Sequence, residues 1–215
     1  MKDKPIEWIV IADLMSGVVA VVMLMLVVSV VQKQAADREH RAAMMQGAEA
    51  QRRNAATVLE QMKAAFARQG ASGLVAIDAA AGKLILLEGA FKRGSACIEP
   101  QAKAAFAQFE DGIAAYLSEV EGGQIYVEGH TDNRPVKAPV TDIRGFCTVY
   151  DDNFTLSAAR AREARALLIG HGGAKVARRV IVAGYGDSRP LPGVAPDDDS
   201  NRRVELRFAS TSEAL

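Results

Sequence analysis

The pattern of apolar and polar positions divides the chain into a long apolar segment, a charged alanine-rich segment and a mixed region. Trp8 to Val31 is 24 residues long, and 20 of these residues are apolar. At about 1.5 Å per residue, a helix of this length reaches roughly 36 Å, enough to cross a hydrocarbon core of about 30 Å. We therefore expect a transmembrane helix at 8–31 after a cytoplasmic tail at 1–7. A cleaved signal peptide is the alternative, but its apolar core is usually about 7–15 residues.

Residues 32–69 are rich in Ala, Gln, Glu, Lys and Arg and contain no Pro, which predicts a helical stalk. Gly70 and Gly73 end this pattern, and we expect a domain at 70–215. Its periodicities predict the order β-β-α-β-α-β-β, an α+β fold with helices on one face of a mixed sheet. The expected elements are Leu74–Ile77, Lys83–Glu88, the helix Gln101–Val120, Gln124–Gly129, the helix Leu156–Ile169 capped by Asn153 or Thr155, Arg179–Ala183 and Arg203–Phe208.

Composition narrows the class of protein. The chain has 26 basic and 26 acidic residues and a mean hydropathy of +0.03. The neutral balance, without a basic run, argues against nucleic acid as a partner. No second apolar stretch approaches 18 residues, which excludes a multi-span transporter.

Asp13 is the only charged residue of the apolar segment. A carboxylate there costs several kcal/mol unless it is protonated, hydrated or paired. Ser16, Gly17 and Ala20 follow at helical spacing on the same face, and small residues allow a partner helix to approach closely. The pattern favours a proton-carrying site at Asp13 and Ser16, with H⁺ preferred over Na⁺ because the helix offers few oxygen ligands. The alternative is an aspartate whose side chain reaches the near membrane surface.

Five ordered motifs in the last two thirds of the chain resemble the OmpA-like peptidoglycan-binding domain. The similarity covers about Lys83 to Phe208, and its motifs are Ala90–Ala96, Gly129–Asp132, Asn153–Ala161, Gly184–Gly186 and Asn201–Glu205. In that family, the aspartate of the His-Thr-Asp turn and the arginine of the Leu-Ser-x-x-Arg helix hold the diaminopimelate of the cell-wall peptide. The resemblance assigns these roles to Asp132 and Arg160.

The chemistry of the two residues agrees with that assignment. A zwitterionic amino-acid end needs an anion for its ammonium and a bidentate cation for its carboxylate. Backbone N–H groups at the start of the Leu156 helix add affinity for anions. The expected peptidoglycan-binding residues are Thr131, Asp132, Asn153, Leu156, Arg160 and Arg202. For Arg202 and Arg203, a structural ion pair with nearby acids is the alternative.

An OmpA-like domain behind one N-terminal span with an early aspartate resembles the B subunit of ion-driven stators, the MotB type. In that family the membrane aspartate carries the ion, and a pentamer of multi-span A subunits surrounds a dimer of B subunits. The resemblance implies an inner-membrane protein with a cytoplasmic N-terminus and a periplasmic domain. The tail is short, Val, Met and Leu replace the usual aromatics after the aspartate, and no proline-containing plug is evident. With these departures from the flagellar examples, the chain most resembles ZorB of the Zorya anti-phage system. The resemblance implies a ZorA-like A subunit as its partner.

The only two cysteines, Cys97 and Cys147, both lie in the expected domain. A bridge between them would close a loop of about 50 residues and contribute roughly 3–4 kcal/mol. Disulfides persist in the periplasm, so a bridge agrees with the expected location. Two buried free thiols are the alternative.

Ca²⁺ binding and hydrolysis are the other kinds of chemistry that the sequence raises. The acidic runs at 151–152 and 197–199 match no full Ca²⁺ motif and are expected to be solvated loops, with Ca²⁺ binding the alternative. No hydrolase motif or metal triad is present, so we expect neither an enzyme nor a cofactor other than the transported proton. His130 is interpreted as a turn residue.

The leading hypothesis is therefore a stator-type B subunit in anti-phage defence that carries protons on Asp13 and anchors the complex to peptidoglycan. A passive membrane-to-wall tether and a flagellar-type stator subunit are the alternatives. A tether would share the domain but would leave Asp13 unexplained.

Overall fold

A computed structural model describes residues 5–79, 81–108, 110–119 and 123–209. Contacts divide the chain into two compact units, Met1–Gly47 and Ala48–Leu215. Helix α1, Pro5–Arg68, begins in the first unit and ends in the second. The second unit thus begins at Ala48, earlier than the domain boundary at residue 70 that the sequence led us to expect.

The first unit contains the apolar part of α1. An 18-residue window of this helix reaches a mean hydropathy of 2.8, and none of that window is buried. Within the described residues, α1 is the one helix long and apolar enough to cross a membrane. This finding agrees with the predicted single span. The tail at 1–7 lies mostly outside the described residues, which begin at residue 5.

The last turns of α1 belong to the core of the second unit. Their apolar residues recur at helical spacing, so one face is apolar and can be buried. The buried residues are Ala55, Val58, Leu59, Met62, Ala65 and Phe66. The Phe66 ring packs edge-on against Phe106, with ring centroids 5.4 Å apart. The expected stalk is helical, but its C-terminal part is packed in the domain.

A five-stranded mixed sheet is the centre of the second unit. Its strands are β1 (Val75–Asp78), β2 (Lys83–Leu86), β3 (Gln124–His130), β4 (Val180–Gly184) and β5 (Arg203–Ala209). Their order in the sheet is β1-β2-β5-β3-β4. The β3–β4 pair is parallel, and the other pairs are antiparallel. The predicted strand order along the chain and the mixed sheet are both confirmed.

The alternation of side chains along the strands gives the sheet two different faces. Leu84, Leu86, Val127, Val204 and Leu206 point to the face that the helices cover, and all are buried. The side chains of the residues between them point to the opposite, outer face of the sheet. That outer face is rich in charge, with Lys83, Glu128, His130, Arg203, Glu205 and Arg207.

The helices of the second unit differ in detail from the prediction. The remaining helices are α2 (Pro100–Ala107), α3 (Glu110–Glu119), α4 (Ile143–Phe146), α5 (Asn153–Ile169) and α6 (Gly173–Ala177). The single helix expected at 101–120 is two helices, because α2 ends at Ala107. Helix α5 begins earlier than predicted, and α4 and α6 were not predicted, since short helices give little periodic signal.

The N-cap prediction for α5 was wrong. The cap is Asp152, whose carboxylate accepts a hydrogen bond from the Thr155 backbone N–H at 2.6 Å. Asp152 keeps an extended backbone while Asn153 is already helical. An aspartate, like an asparagine or threonine, satisfies a free N–H group of the first turn, so sequence alone did not separate the three.

Candidate functional site

The candidate site in the first unit is the carboxylate of Asp13. Ser16 Oγ donates a hydrogen bond to the Asp13 carbonyl oxygen at 2.8 Å. The Ser16 hydroxyl is therefore used by its own helix and is not bonded to the carboxylate. Among the residues whose side chains the structure describes, the Asp13 carboxylate has no ion-pair partner, and both side chains are exposed.

The candidate site in the second unit begins where the parallel strands β3 and β4 end. The Thr131 N–H donates to Gly186 O at 2.8 Å, and the Tyr185 N–H donates to Gly129 O at 2.9 Å. These bonds join the turn that follows β3 to the turn that follows β4. Thr131 is buried, and the next residue, Asp132, begins the charged part of the site.

Asn153 and Leu156 support this turn from the start of α5. Asn153 Nδ2 donates to Asp132 O at 3.2 Å and to Arg134 O at 3.0 Å. Asp132 Oδ1 accepts from the Arg134 N–H at 3.2 Å. Leu156 is buried in the first turn of the helix. Asn153 therefore holds the backbone that presents the Asp132 carboxylate.

Two glycines allow α5 to lie directly on the strand ends. A Cβ atom at Gly129 would come 2.0 Å from Ser157 O, and one at Gly184 would come 2.6 Å from Ala158 Cβ. Any other residue would push the helix away from the sheet. The glycines of the Gly-His-Thr-Asp and Gly-Tyr-Gly motifs therefore set the distance between helix and turn.

Arg160 lies on α5 with its guanidinium fully buried, at 1% exposure. Its Nε donates to Ser95 O at 2.9 Å, and its two terminal nitrogens donate to the Glu88 carboxylate at 2.8 and 3.2 Å. The ring centroid of Phe91 lies 5.2 Å from the guanidinium carbon. Arg160 is thus paired inside the chain by a bidentate carboxylate, the geometry expected for binding a ligand carboxylate.

Glu88 is the residue of this site that the sequence did not reveal. It ends the predicted strand Lys83–Glu88 and begins a 3₁₀ turn, Glu88–Ala90, whose last residue is the first of the Ala90–Ala96 motif. An acid two residues before a motif of a binding domain was the available signal. Nothing in the sequence indicated that it faces Arg160, 72 residues later.

Arg202 joins Asp132 to Glu88. Its Nη1 lies 2.5 Å from Asp132 Oδ2 and 2.7 Å from Asp199 Oδ1, and its Nε lies 3.3 Å from Glu88 Oε1. Hydrogen bonds to Asp199 and Asp132 raise the pKa of Arg202, and its hydrogen bond lowers the pKa of Asp199. Four side chains of alternating sign, Asp132, Arg202, Glu88 and Arg160, therefore follow one another. We call them the charge ladder.

The predicted disulfide is present and lies beside the charge ladder. Cys97 and Cys147 are bonded, with their Cα atoms 5.1 Å apart. The bond joins the segment that carries Ser95, a partner of Arg160, to the insertion between Asp132 and α5. The Ser95 hydroxyl also donates to Phe146 O at 2.9 Å. The insertion is therefore fixed to the site by covalent and hydrogen bonds.

The acidic runs have partners within the protein. Asp198 Oδ1 accepts from the backbone and the hydroxyl of Ser200 at 2.8 and 2.7 Å, and Asp152 caps α5. Hydrogen bonds to these carboxylates lower the pKa of both aspartates. Asp152 and Asp198 therefore cap helical turns, and Ca²⁺ binding by the acidic runs stays a prediction.

His130 and Arg203 belong to the outer face of the sheet. Arg203 Nε donates to Glu205 Oε1 at 2.7 Å, which is the structural pair considered as its alternative role. His130 is buried and stacks on the Tyr185 ring with centroids 5.4 Å apart. Burial, together with the charge of Arg203, lowers the pKa of His130 to about 4, so the imidazole is neutral near pH 7.

Comparisons with known proteins agree with the fold of the second unit. A family model described as the OmpA family matches residues 90–203, more than half of the chain. A MotB-like protein from Desulfovibrio vulgaris has a similar fold, with 24% identity, a TM-score of 0.52, and coverage of 75% of this chain and 95% of that one. The cell wall anchor of the T6SS from Pseudomonas aeruginosa matches at 28% identity and a TM-score of 0.47, with coverage of 69% of this chain and 96% of that one. The periplasmic domain of Helicobacter pylori MotB matches at 21% identity and a TM-score of 0.43, with coverage of 60% of this chain and 74% of that one. No curated protein matches the chain.

Proposed function

The chain belongs to the OmpA family, and on that premise we propose that it is the B-type subunit of a proton-driven motor in the bacterial inner membrane. The observation that carries the proposal is Asp13. It is the only charged residue of the apolar segment 8–31, and the same chain carries an OmpA-family domain. An anchor that only tethers has no use for a charge that costs several kcal/mol in the bilayer.

The wall-binding half of the proposal uses Asp132 and Arg160. The first supplies an anion for an ammonium group, and the second a bidentate cation for a carboxylate. Thr131, Asn153 and Leu156 hold the turn and the helix start between them. The target is the zwitterionic amino-acid end of the wall peptide, as in the OmpA-like domains that the motifs resemble.

The proton-carrying half of the proposal needs a partner. Asp13 would face a multi-span A-type subunit, of the MotA or ZorA kind, in a complex of five A subunits around a dimer of this chain. Proton flow down the membrane potential would provide about 2.3 kcal/mol per charge per 100 mV to rotate the ring around the anchored dimer.

Orientation and biological role are part of the same proposal. The disulfide favours an oxidising compartment for the domain, so we place it in the periplasm with the N-terminus in the cytoplasm. The apolar, non-aromatic stretch after Asp13 favours a non-flagellar motor, and we propose anti-phage defence as its output.

Wall binding is tested by sedimentation of the full chain with purified peptidoglycan. We expect Asp132→Asn, which removes the charge and keeps the shape, to leave the protein in the supernatant. Asp197→Asn is the matched control, because Asp197 is an exposed acid outside the charge ladder. Sedimentation of the Asp132 variant at the control level would refute the binding assignment.

Proton transport is tested in vesicles that contain the chain and its A-type partner. Asp13→Asn should abolish proton flux while the complex still assembles, and Asp13→Glu should retain part of the flux. Ser16→Ala should have a smaller effect, since its hydroxyl is bonded to a backbone carbonyl. Full flux in Asp13→Asn would leave the passive tether as the function.

A further inference from the structure

The two charges assigned to the wall peptide are already paired within the chain. Arg160 is almost fully buried, and its three guanidinium nitrogens donate to Glu88 and to Ser95 O. Asp132 is also buried, and it accepts from Arg202 and from the Arg134 N–H. A ligand therefore reaches neither charge unless Glu88 and Arg202 move.

Glu88 and Arg202 together have the charges of the expected ligand. The Glu88 carboxylate faces Arg160, the Arg202 guanidinium faces Asp132, and the two lie 3.3 Å apart. We infer that Glu88 and Arg202 hold the places of the ligand's carboxylate and ammonium in the free chain and set its specificity for a zwitterion. The inference rests on the proposed wall binding and adds how the same site selects its ligand.

The position of Glu88 and Arg202 allows the ligand to displace them and take their places beside Arg160 and Asp132, which we call the exchange. The Glu88 and Arg202 side chains are 24% and 19% exposed, whereas Arg160 and Asp132 lie deeper. Glu88 is the first residue of the 3₁₀ turn Glu88–Ala90, and Arg202 directly follows the 3₁₀ turn Asp199–Asn201. After displacement, Arg202 can keep its contacts with Glu88 and with the exposed Asp199. The ligand then replaces both inner ion pairs, and none of the four charges is left without a partner.

The exchange explains why one charge on a ligand is not enough. Because Arg202 Nε lies 3.3 Å from Glu88 Oε1, we expect the two outer residues to leave the site together. A ligand with a carboxylate alone would then leave the buried Asp132 without a partner, and a ligand with an ammonium alone would leave the buried Arg160 without one. A buried charge without a partner is costly, so a ligand with only one of the two charges is disfavoured.

Isothermal titration of the full chain in detergent measures this selectivity. The probes are meso-diaminopimelate, pimelate, which lacks both ammonium groups, and 1,5-diaminopentane, which lacks both carboxylates. We expect meso-diaminopimelate to bind at least about tenfold more tightly than the other two, the factor that a difference of about 1.4 kcal/mol gives. Equal binding of pimelate would overturn the inference.

Glu88→Gln separates the exchange from a purely structural role of Glu88. Removing the competing carboxylate should strengthen binding of meso-diaminopimelate about fivefold or more, because a larger fraction of the chain is then competent to bind. The matched control is Glu128→Gln, which removes a buried carboxylate paired with Arg207 at 3.1 Å on the outer face of the sheet. Its affinity should equal that of the unmodified chain. Weaker or unchanged binding by Glu88→Gln would overturn the inference. The proposed function would still stand in that case, as long as the unmodified chain binds meso-diaminopimelate.

Arg202→Gln provides a second variant if the first fails to fold. It uncovers Asp132, so it should also strengthen binding of meso-diaminopimelate. Weaker binding would assign Arg202 to direct ligand contact and overturn the exchange. Failure of the unmodified chain and of all variants to bind would overturn the proposed wall binding itself, together with the inference.

Discussion

The bond between Cys97 and Cys147 should contribute a large part of the stability of the second unit. The two cysteines are separated by 50 residues. In the chain-entropy model, closing a loop of that length lowers the entropy of the unfolded chain enough to stabilise the fold by about 4 kcal/mol at 25 °C. A domain of this size typically has a free energy of unfolding of about 5–15 kcal/mol, so the loss would be readily measured.

The folded state should nevertheless keep its structure without the bond. Hydrogen bonds hold the same two segments together: Ala96 N–H donates to Phe146 O at 3.1 Å, and the Tyr150 hydroxyl donates to Gly94 O at 2.5 Å. The double variant Cys97→Ser, Cys147→Ser should therefore be less stable but should still bind the wall at low temperature.

Pulse proteolysis of the full chain in increasing urea measures the folded fraction without interference from the membrane helix. The oxidised chain, the reduced chain and the double serine variant are compared by linear extrapolation to water. The reduced chain should match the variant. A loss below about 1 kcal/mol would refute the loop-closure reasoning. Loss of wall binding by a variant that remains folded would refute the claim that hydrogen bonds suffice to hold the insertion.

Three further predictions concern the core, the helix contact and pH. Phe66→Ala should destabilise the second unit by about 3–5 kcal/mol in the same urea assay, because the ring is fully buried; an unchanged midpoint would contradict the placement of α1 in the core. Gly129→Ala should cost about 1–3 kcal/mol and weaken wall binding, since its methyl group would collide with Ser157 O, whereas Gly73→Ala, with no atom within 4 Å of the new Cβ, should cost much less. The unfolded chain protonates His130 near pH 6.5 and the folded chain only near pH 4. Stability should therefore fall as the pH drops from about 6.5 to 4, by up to about 3 kcal/mol; an equal fall in His130→Gln would contradict this cause.

Much of the fold followed from periodicity and composition. The apolar run at 8–31, the strand at Gln124–His130 and the helix that ends at Ile169 each carry a long and regular pattern, which local sequence is sufficient to produce. The two cysteines and the motifs of the wall-binding domain were also visible in the sequence. The break between α2 and α3 was not, because both halves continue the same helical spacing.

Only tertiary packing determined that the last turns of α1 belong to the core of the second unit. An alanine-rich segment with a partial apolar stripe suits an exposed stalk and a core helix equally well by local propensity. Burial of Leu59, Met62 and Phe66 against the sheet and α2 decides between them. Sequence showed the stripe, and only the packed structure showed what covers it.

For the candidate site, too, the sequence determined one part and the tertiary structure another. Sequence by itself determined that Asp13 is the only charge of the apolar segment 8–31, and its local motifs predicted Asp132, Arg160 and Arg202 as site residues. Only the tertiary structure brought Glu88 to Arg160 and placed Arg202 between Glu88 and Asp132. Ion pairs between residues about 70 positions apart depend on sheet order and on how closely α5 approaches the strand ends. No local pattern in the chain encodes those distances.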